Sequence, residues 1–501
     1  MPGVTPEFLA LPLSTLADAA LTRARELGTE YAALRVVSTR HQLLALRDLD
    51  LETSVTSDDV GLSVRVVHDG AWGFAAGPAL TPHEARRLAE RAVAVARVAR
   101  PLSTERVVLA DEPAYGERQW SSPYEIDPFS VPDADKVATL VDLSERLRAG
   151  DGVGFTHAQV QAVRENVYYA DSAGTTTTQT RVRVEPELSA TTVDRSTGAF
   201  ESMRTLAPPA AAGWEYVRSE RAGLEREVAE LPELLAAKVK APSVRAGDYD
   251  LVIDGSNLFL TIHESIGHAT ELDRVLGYEA AYAGTSFATF DKLGTFQYGS
   301  PVMNVTGDRD TEWGLATVGW DDEGVAGQHW DIVKDGILVG YQTDRAMAAL
   351  KDLGRSNGAA YADSARHVPV QRMVNVSLQP DPEGGTVQDL VSRVEDGIYI
   401  VGDNSWSIDM QRYNFQFTGQ RFFRIEQGVL TGQLRDVAYQ ATTTDFWRSM
   451  EAVGGAETVY RGGTFNCGKA QPGQVSPASH GSPAALFRGV RILNTVQEAG
   501  H

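Results

Sequence analysis

Cysteine is almost absent. The 501-residue chain has one, Cys467, which excludes an intramolecular disulfide and fits a reducing compartment. No apolar run is long enough to cross a bilayer. The start, Met1-Pro2-Gly3-Val4-Thr5-Pro6-Glu7, lacks the basic-then-apolar pattern of a secretory signal, so the expected location is cytoplasmic. Positive charge is also short. There are 46 Lys and Arg against 67 Asp and Glu, a net charge of −21, which argues against nucleic acid or an anionic membrane as the main partner. No internal repeat, low-complexity tract or phosphate-cradling glycine loop of the usual spacing is present.

The length predicts two or more domains with ample residues for a core. Residues 13–27 place Leu13, Leu16, Ala20, Leu21, Ala24 and Leu27 on one helical stripe. Strands are expected at 32–37, 41–47 and 60–68, with a hairpin turn at His68-Asp69-Gly70-Ala71. Thr81-Pro82-His83-Glu84 reads as a capping box opening a helix that carries Ala85, Leu88, Ala89, Ala92, Val93 and Ala96. Residues 101–130 read as a surface connection, 133–147 as a helix, and 154–206 as a sheet with one wet face, turning at Asp171-Ser172-Ala173-Gly174. After a charged helix at 219–240, Ala241-Pro242 marks the expected boundary between domains 1–242 and 243–501. The second domain opens with a strand at 249–253. It is strand-rich after that, at 302–306, 315–319, 328–333 and 337–341, with short helices at 344–353 and 386–394. The fold class is therefore α+β: N-terminal helices on an antiparallel sheet, then a β-rich domain carrying one notable helix.

That helix is the run Leu258-Phe259-Leu260-Thr261-Ile262-His263-Glu264-Ser265-Ile266-Gly267-His268. Two imidazoles flanking a carboxylate are the minimum for a metal hydrolase, because neutral imidazole binds zinc and a nearby Glu can take a proton from activated water. The usual helical motif spaces its histidines four apart. Here they are five apart, which on a regular helix leaves the rings about 140° apart. A π-bulge would absorb the extra residue, and Gly267 is the residue that tolerates unusual backbone. Otherwise these are two ordinary histidines on an apolar helix. Two histidines need a third ligand, with a fourth position open for water. Cys467, among glycines and polar residues, reads as a loop thiol suited to that position; the alternative is a small buried hydrophobe.

Glu271 and Asp273 follow the second His and could hold a ligand imidazole from behind, although a solvated helix end is the preferred reading. His329, His367 and His480 are more often structural than functional, and His480 is the best of them because it lies nearest the cysteine. Asp321-Asp322-Glu323-Gly324 reads as an acidic turn, since the calcium-loop pattern is absent.

Several further stretches carry a resemblance: 30–35, 61–75, Asp322-Glu323-Gly324, Arg372-Met373-Val374-Asn375 and Cys467-Gly468-Lys469-Ala470-Gln471-Pro472. With the His-Glu-Ser-Ile-Gly-His run, they make the sequence resemble the TldD/PmbA family of zinc metallopeptidases over nearly its whole length, on the TldD (catalytic) side. The resemblance implies zinc held by His263, His268 and Cys467, with Glu264 as base. It implies unfolded or leader peptides as substrates and a dimer, either of this chain with itself or with a PmbA-like paralogue. The chain departs from the family pattern at Ala470 and in a longer segment before Ser479-His480-Gly481. Two rival readings are a non-catalytic dimer subunit with a structural metal and a metal-dependent amidase for small modified metabolites.

Overall fold

The strands expected at 32–37 and 41–47 are one strand in the computed structural model, which describes residues 3–194, 198 and 200–498. β1 (Tyr31–Arg47) pairs antiparallel with β2 (Asp50–His68) through a two-residue turn in which Asp48 and Leu49 both take positive φ. Pattern reading misses such a turn because Asn-Gly or Asp-Gly is its usual marker. The next turn obeys the marker: Asp69 and Gly70 have φ of 50° and 67° and lead into β3 (Ala71–Gly77). β4 (Gly116–Ser121) lies inside the expected connection and pairs in parallel with β6 (Thr175–Val193). β5 (Val153–Asp171) precedes β6, and β7 (Phe200–Arg204) follows it. Of the strand run expected at 154–206, residues 195–197 and 199 lie outside the described residues. The sheet order is β3-β2-β1-β5-β6-β4, with β7 on β6.

Four helices cover one face of this sheet. α1 (Leu13–Glu26) and α2 (Pro82–Ala99) bury Leu16, Ala20, Leu88 and Val93 against Leu34, Val36, Val64 and Val66. α3 (Asp133–Arg148) and α4 (Leu224–Lys240) bury Leu140, Leu143, Leu231 and Leu235 against Leu44, Leu46, Val160 and Leu188. Thr81 does cap α2, accepting from the Glu84 N–H, but the Glu84 side chain turns to Arg87, so the capping box is half made.

The other face was expected to meet water and instead meets the C-terminal half of the chain. Arg35 of β1 pairs with Asp322 at 2.9 Å, and Arg65 of β2 with Glu323 at 2.7 Å. Tyr169 donates to the Glu323 carbonyl, and Glu165 binds Arg181, Arg183 and the Tyr361 hydroxyl. The acidic turn 321–324 is therefore a turn, as expected, but a buried one that docks on the arginines of the first sheet. These charged side chains are buried here with an oppositely charged partner, which is what makes their burial tolerable.

In the C-terminal half, β8 (Gly247–Ile253) runs parallel to Asp396–Ile408 and antiparallel to Ala485–Asn494. The order continues through Val437–Thr442 and Asn414–Glu426, which pairs back onto Asp396–Ile408, so five strands close into a ring. Residues 315–319 form no strand, and the strand expected at 337–341 is only Ile337–Leu338. The expected helices shorten to Arg345–Leu350 and Val387–Ser392. Among the described residues no helix is long and apolar enough to cross a membrane.

Asp322→Ala should lower unfolding stability by about 3–5 kcal/mol, because it leaves the Arg35 charge buried without its partner. Chemical denaturation of both proteins measures this. A loss within experimental error would show that the two halves of the chain do not depend on this contact.

Candidate metal centre

α5 (Gly255–Ile262) is buried at every position. A helix enclosed on all sides must satisfy its own polar groups. Asp254 caps it by accepting from the Ser256 N–H, Asn257 donates to the carbonyls of Gly402 and Thr418, and Thr261 bonds the Tyr439 hydroxyl. At His263 the helix widens. Residues His263–Gly267 form a π turn in which the His268 N–H reaches back to the His263 carbonyl. The extra residue is absorbed, and the two imidazoles come together, with ring centroids 4.8 Å apart at 83°.

Widening the helix displaces carbonyls, and side chains take them, two from distant segments and one from the next turn. Tyr298 donates to the Ser265 carbonyl, Gln342 to the Gly267 carbonyl at 2.6 Å, and Thr270 to that of Ile266. Trp447 donates to the Ser265 hydroxyl. The expectation for Gly267 needs correcting: its φ of −52° is ordinary helix. Glycine instead leaves room for Met373: a Cβ would sit 2.5 Å from Met373 Sδ, so that side chain would have to move.

The neighbours of the two histidines fix which ring nitrogen is free. His480 Nδ1 lies 2.8 Å from the Val376 carbonyl, which can only accept, so Nδ1 carries the proton. His480 Nε2 therefore accepts from His263 Nδ1 at 2.7 Å, and the His263 Nε2 lone pair is free. His268 Nδ1 donates to Glu271 at 2.9 Å, which leaves its Nε2 facing Cys467 Sγ at 3.4 Å. The donor atoms of His263, His268 and Cys467 all lie within 4.8 Å of one another. Two ligands on a tetrahedral zinc stand roughly 3.3–3.6 Å apart, so these donors need only a small contraction.

The electrostatics suit a cation. Burial holds both His263 and His268 below the ordinary imidazole range, so they are neutral donors. Burial alone would push the Cys467 thiol up, but His268 and Arg372 outweigh it and bring the thiol below its ordinary value. Burial also opposes charge on Glu271, yet Lys469, His268 and Arg274 hold it well below the usual carboxylate range. Glu271 is fully buried and Asp273 nearly so, against the expectation of a solvated helix end. Both lie beyond the helical run that carries the histidines, and Glu271 is in extended backbone.

Cys467 also departs from expectation. It sits not in a loop but in the strand Tyr460–Lys469, hairpinned with Gln474–Ser482, just past an irregularity in their register. Arg372 clamps the hairpin by donating to the carbonyls of Cys467 and Gln474. Two residues on, the buried Lys469 ammonium meets Asp273 at 2.7 Å and Glu271 at 3.2 Å. One strand thus supplies the thiol and also braces the carboxylate that orients His268. His480 is in the partner strand and does bond His263, whereas His329 is exposed in a strand and His367 bonds Asp363. Glu264 is buried beside the histidines, and its Oε2 accepts from Arg412 at 2.7 Å. Sequence reading missed Lys469, Arg274, Gln342 and Arg412. Only Lys469 left a local cue, two residues after the cysteine. A cleft of about 280 Å³ adjoins the hairpin, lined by His41, Gln161, Glu165 and Arg183 on one side and Phe465, Asn466 and Val475 on the other.

The family models and the curated relatives give the class of protein to which this chain belongs. The PmbA/TldA metallopeptidase C-terminal domain matches residues 246–494, and domain 1 of the same metallopeptidases matches 32–96. The chain belongs to the TldD/PmbA family of metallopeptidases. A metalloprotease of Methanothermobacter thermautotrophicus is 26% identical over 466 residues, 93% of this chain and 96% of that protein. A zinc metalloprotease TldD homolog of Saccharolobus solfataricus is 25% identical over 232 residues, 46% of this chain and 49% of that one. The fold matches the crystal structure of TldE from Thermococcus kodakarensis with a TM-score of 0.72 at 15% identity, over 95% of this chain and 99% of that one.

Gly267→Ala tests how the π turn is held. In an ordinary helix the change would add up to about 1 kcal/mol of stability. Here overpacking against Met373 should instead cost about 1–3 kcal/mol, and Met373→Ala in the same chain should recover most of that. Thermal unfolding of the single and double variants measures it; a stabilised Gly267→Ala would contradict the packing.

Proposed function

We propose that the chain is a zinc-dependent peptidase that hydrolyses unfolded or leader peptides, with His263, His268 and Cys467 as zinc ligands and Glu264 as general base. The observation that carries this reading is the convergence of two neutral imidazoles and a thiol of lowered pKa within 4.8 Å of one another, with the buried Glu264 next to His263 in the chain. A relative named as a zinc metalloprotease supports the choice of metal. A set of two nitrogens and one sulfur suits zinc and leaves a fourth position open.

Zinc in this site would supply acidity to a bound water and polarisation to a scissile carbonyl. The chain supplies the rest. His480 and Glu271 hold the imidazoles in the tautomer that presents Nε2. Glu264 takes the proton of the attacking water on its carboxylate and later delivers it to the leaving amine nitrogen, so that one residue serves as base and then as acid. Burial of Glu264 excludes bulk water from competing for that proton. A dimer, with a second copy or with a PmbA-like paralogue, belongs to the same reading.

Glu264→Gln should retain zinc and lose cleavage of an unfolded peptide by about 100- to 10,000-fold. Elemental analysis and a fluorogenic peptide assay read the two quantities separately. Cleavage at the wild-type rate by this variant would overturn the assignment. Turnover of small amides but of no peptide would favour an amidase, and zinc without any turnover, with or without a paralogue, a structural subunit.

A further inference from the structure

We infer that Arg412 is a second catalytic residue of this site, one that holds Glu264 before the reaction and donates to the tetrahedral oxyanion once Glu264 has taken its proton. The inference rests on the peptidase reading of the site. Arg412 comes from a loop 148 positions away from Glu264, yet its Nη1 donates to Glu264 Oε2 at 2.7 Å, and its side chain is 15% exposed. Its Nε is buried with no partner among the described residues. A guanidinium presents five N–H donors in a rigid plane, so one bond to Glu264 leaves donors to spare. Its charge also reaches Cys467, Glu271 and His263, which places it on the rim of the candidate ligand set.

The backbone beneath it is built to hold this position. Arg412 has a φ of 63°, which a side chain other than glycine adopts only when its surroundings impose it. The Asp409 carboxylate accepts the N–H groups of Gln411, Tyr413 and Asn414, and the Asp409 carbonyl accepts that of Arg412. Thr443 donates to the Arg412 carbonyl at 2.7 Å, and residues 285 and 287 bond the two preceding carbonyls. The second role of Arg412 follows one proton transfer. The water oxygen bonds the carbonyl carbon, the C=O electron pair moves onto oxygen, and the water proton goes to Glu264. Neutral Glu264 no longer holds the guanidinium, which turns its free donors to the oxygen that has just gained charge. As the C–N bond breaks, the proton passes to the amine nitrogen, the oxygen pair returns to carbon, and the ion pair re-forms. Donors aimed at developing charge in a water-poor site are usually the largest single catalytic contribution.

The test uses the full-length zinc-loaded protein with Arg412→Ala and Arg412→Lys. The expected result for Arg412→Ala is unchanged zinc per chain, with a lowered unfolding temperature because Glu264 stays buried without its partner. Its kcat should fall about 100- to 1,000-fold with KM little changed. Affinity for a phosphinic peptide, a mimic of the tetrahedral oxyanion, should fall by a similar factor in calorimetry. Added guanidinium should restore part of the Arg412→Ala rate, and Arg412→Lys should lie between. An active wild type with an equally active Arg412→Ala, or undiminished phosphinic-peptide binding by that variant, overturns the role of Arg412 and leaves the peptidase reading intact. A wild type that neither cuts peptides nor binds the phosphinic peptide overturns both.

Discussion

One backbone hydrogen bond sets the geometry of this molecule's site. The His268 N–H reaches the His263 carbonyl five residues back, and without that step the two imidazoles would point away from each other. A π turn has poorer backbone pairing than an α-helix, so it persists only where the surroundings accept it. Here they do more than accept it. Tyr298, Gln342 and Thr270 bond the carbonyls around it, Trp447 fixes Ser265, and Met373 fills the space that the absent Gly267 side chain leaves open. Apart from Thr270, the residues that maintain this local deviation lie far away along the chain.

The same logic extends outward to the candidate ligands. Each imidazole donates its second nitrogen to a buried acceptor, His480 in one case and Glu271 in the other. Glu271 is in turn tied to Lys469, two residues beyond Cys467 on the same strand. Moving any one donor therefore disturbs the support of another. An arrangement so fixed loses little freedom when a cation enters, and a prebuilt set with matched charge is what metal affinity requires. Arg412 sits just outside this set, in the turn between Asp396–Ile408 and Asn414–Glu426, and pairs with Glu264 from there.

Much of this was readable from the chain itself. The apolar helix with its misspaced histidines called for a π-bulge, and the structure has one. Leu16, Ala20, Leu88 and Val93 were visible as helical stripes and do form core. The Asp69-Gly70 turn was visible because positive φ leaves a residue-type trace. The failures share a cause. Glu165, Arg181 and Arg183 looked like a wet sheet face because they are paired with each other and with Tyr361 from the other half of the chain. Glu271 looked solvated because Lys469 lies 198 positions downstream. Cys467 looked like a loop residue because its strand is glycine-rich and irregular in register, held by Arg372 rather than by propensity. A single sequence shows periodicity and local turns; it does not show which charge is neutralised by a residue from another part of the chain.

The central claim is that zinc binds this chain through two imidazole nitrogens and one thiolate with a position left open. X-ray absorption at the zinc edge of the purified, zinc-loaded protein tests it most directly. The account predicts two nitrogen scatterers near 2.0 Å, one sulfur near 2.3 Å and one further light atom from solvent, with the sulfur shell lost in Cys467→Ala. A spectrum with no sulfur in the wild-type protein, or with a fourth ligand that is a protein side chain, would contradict it.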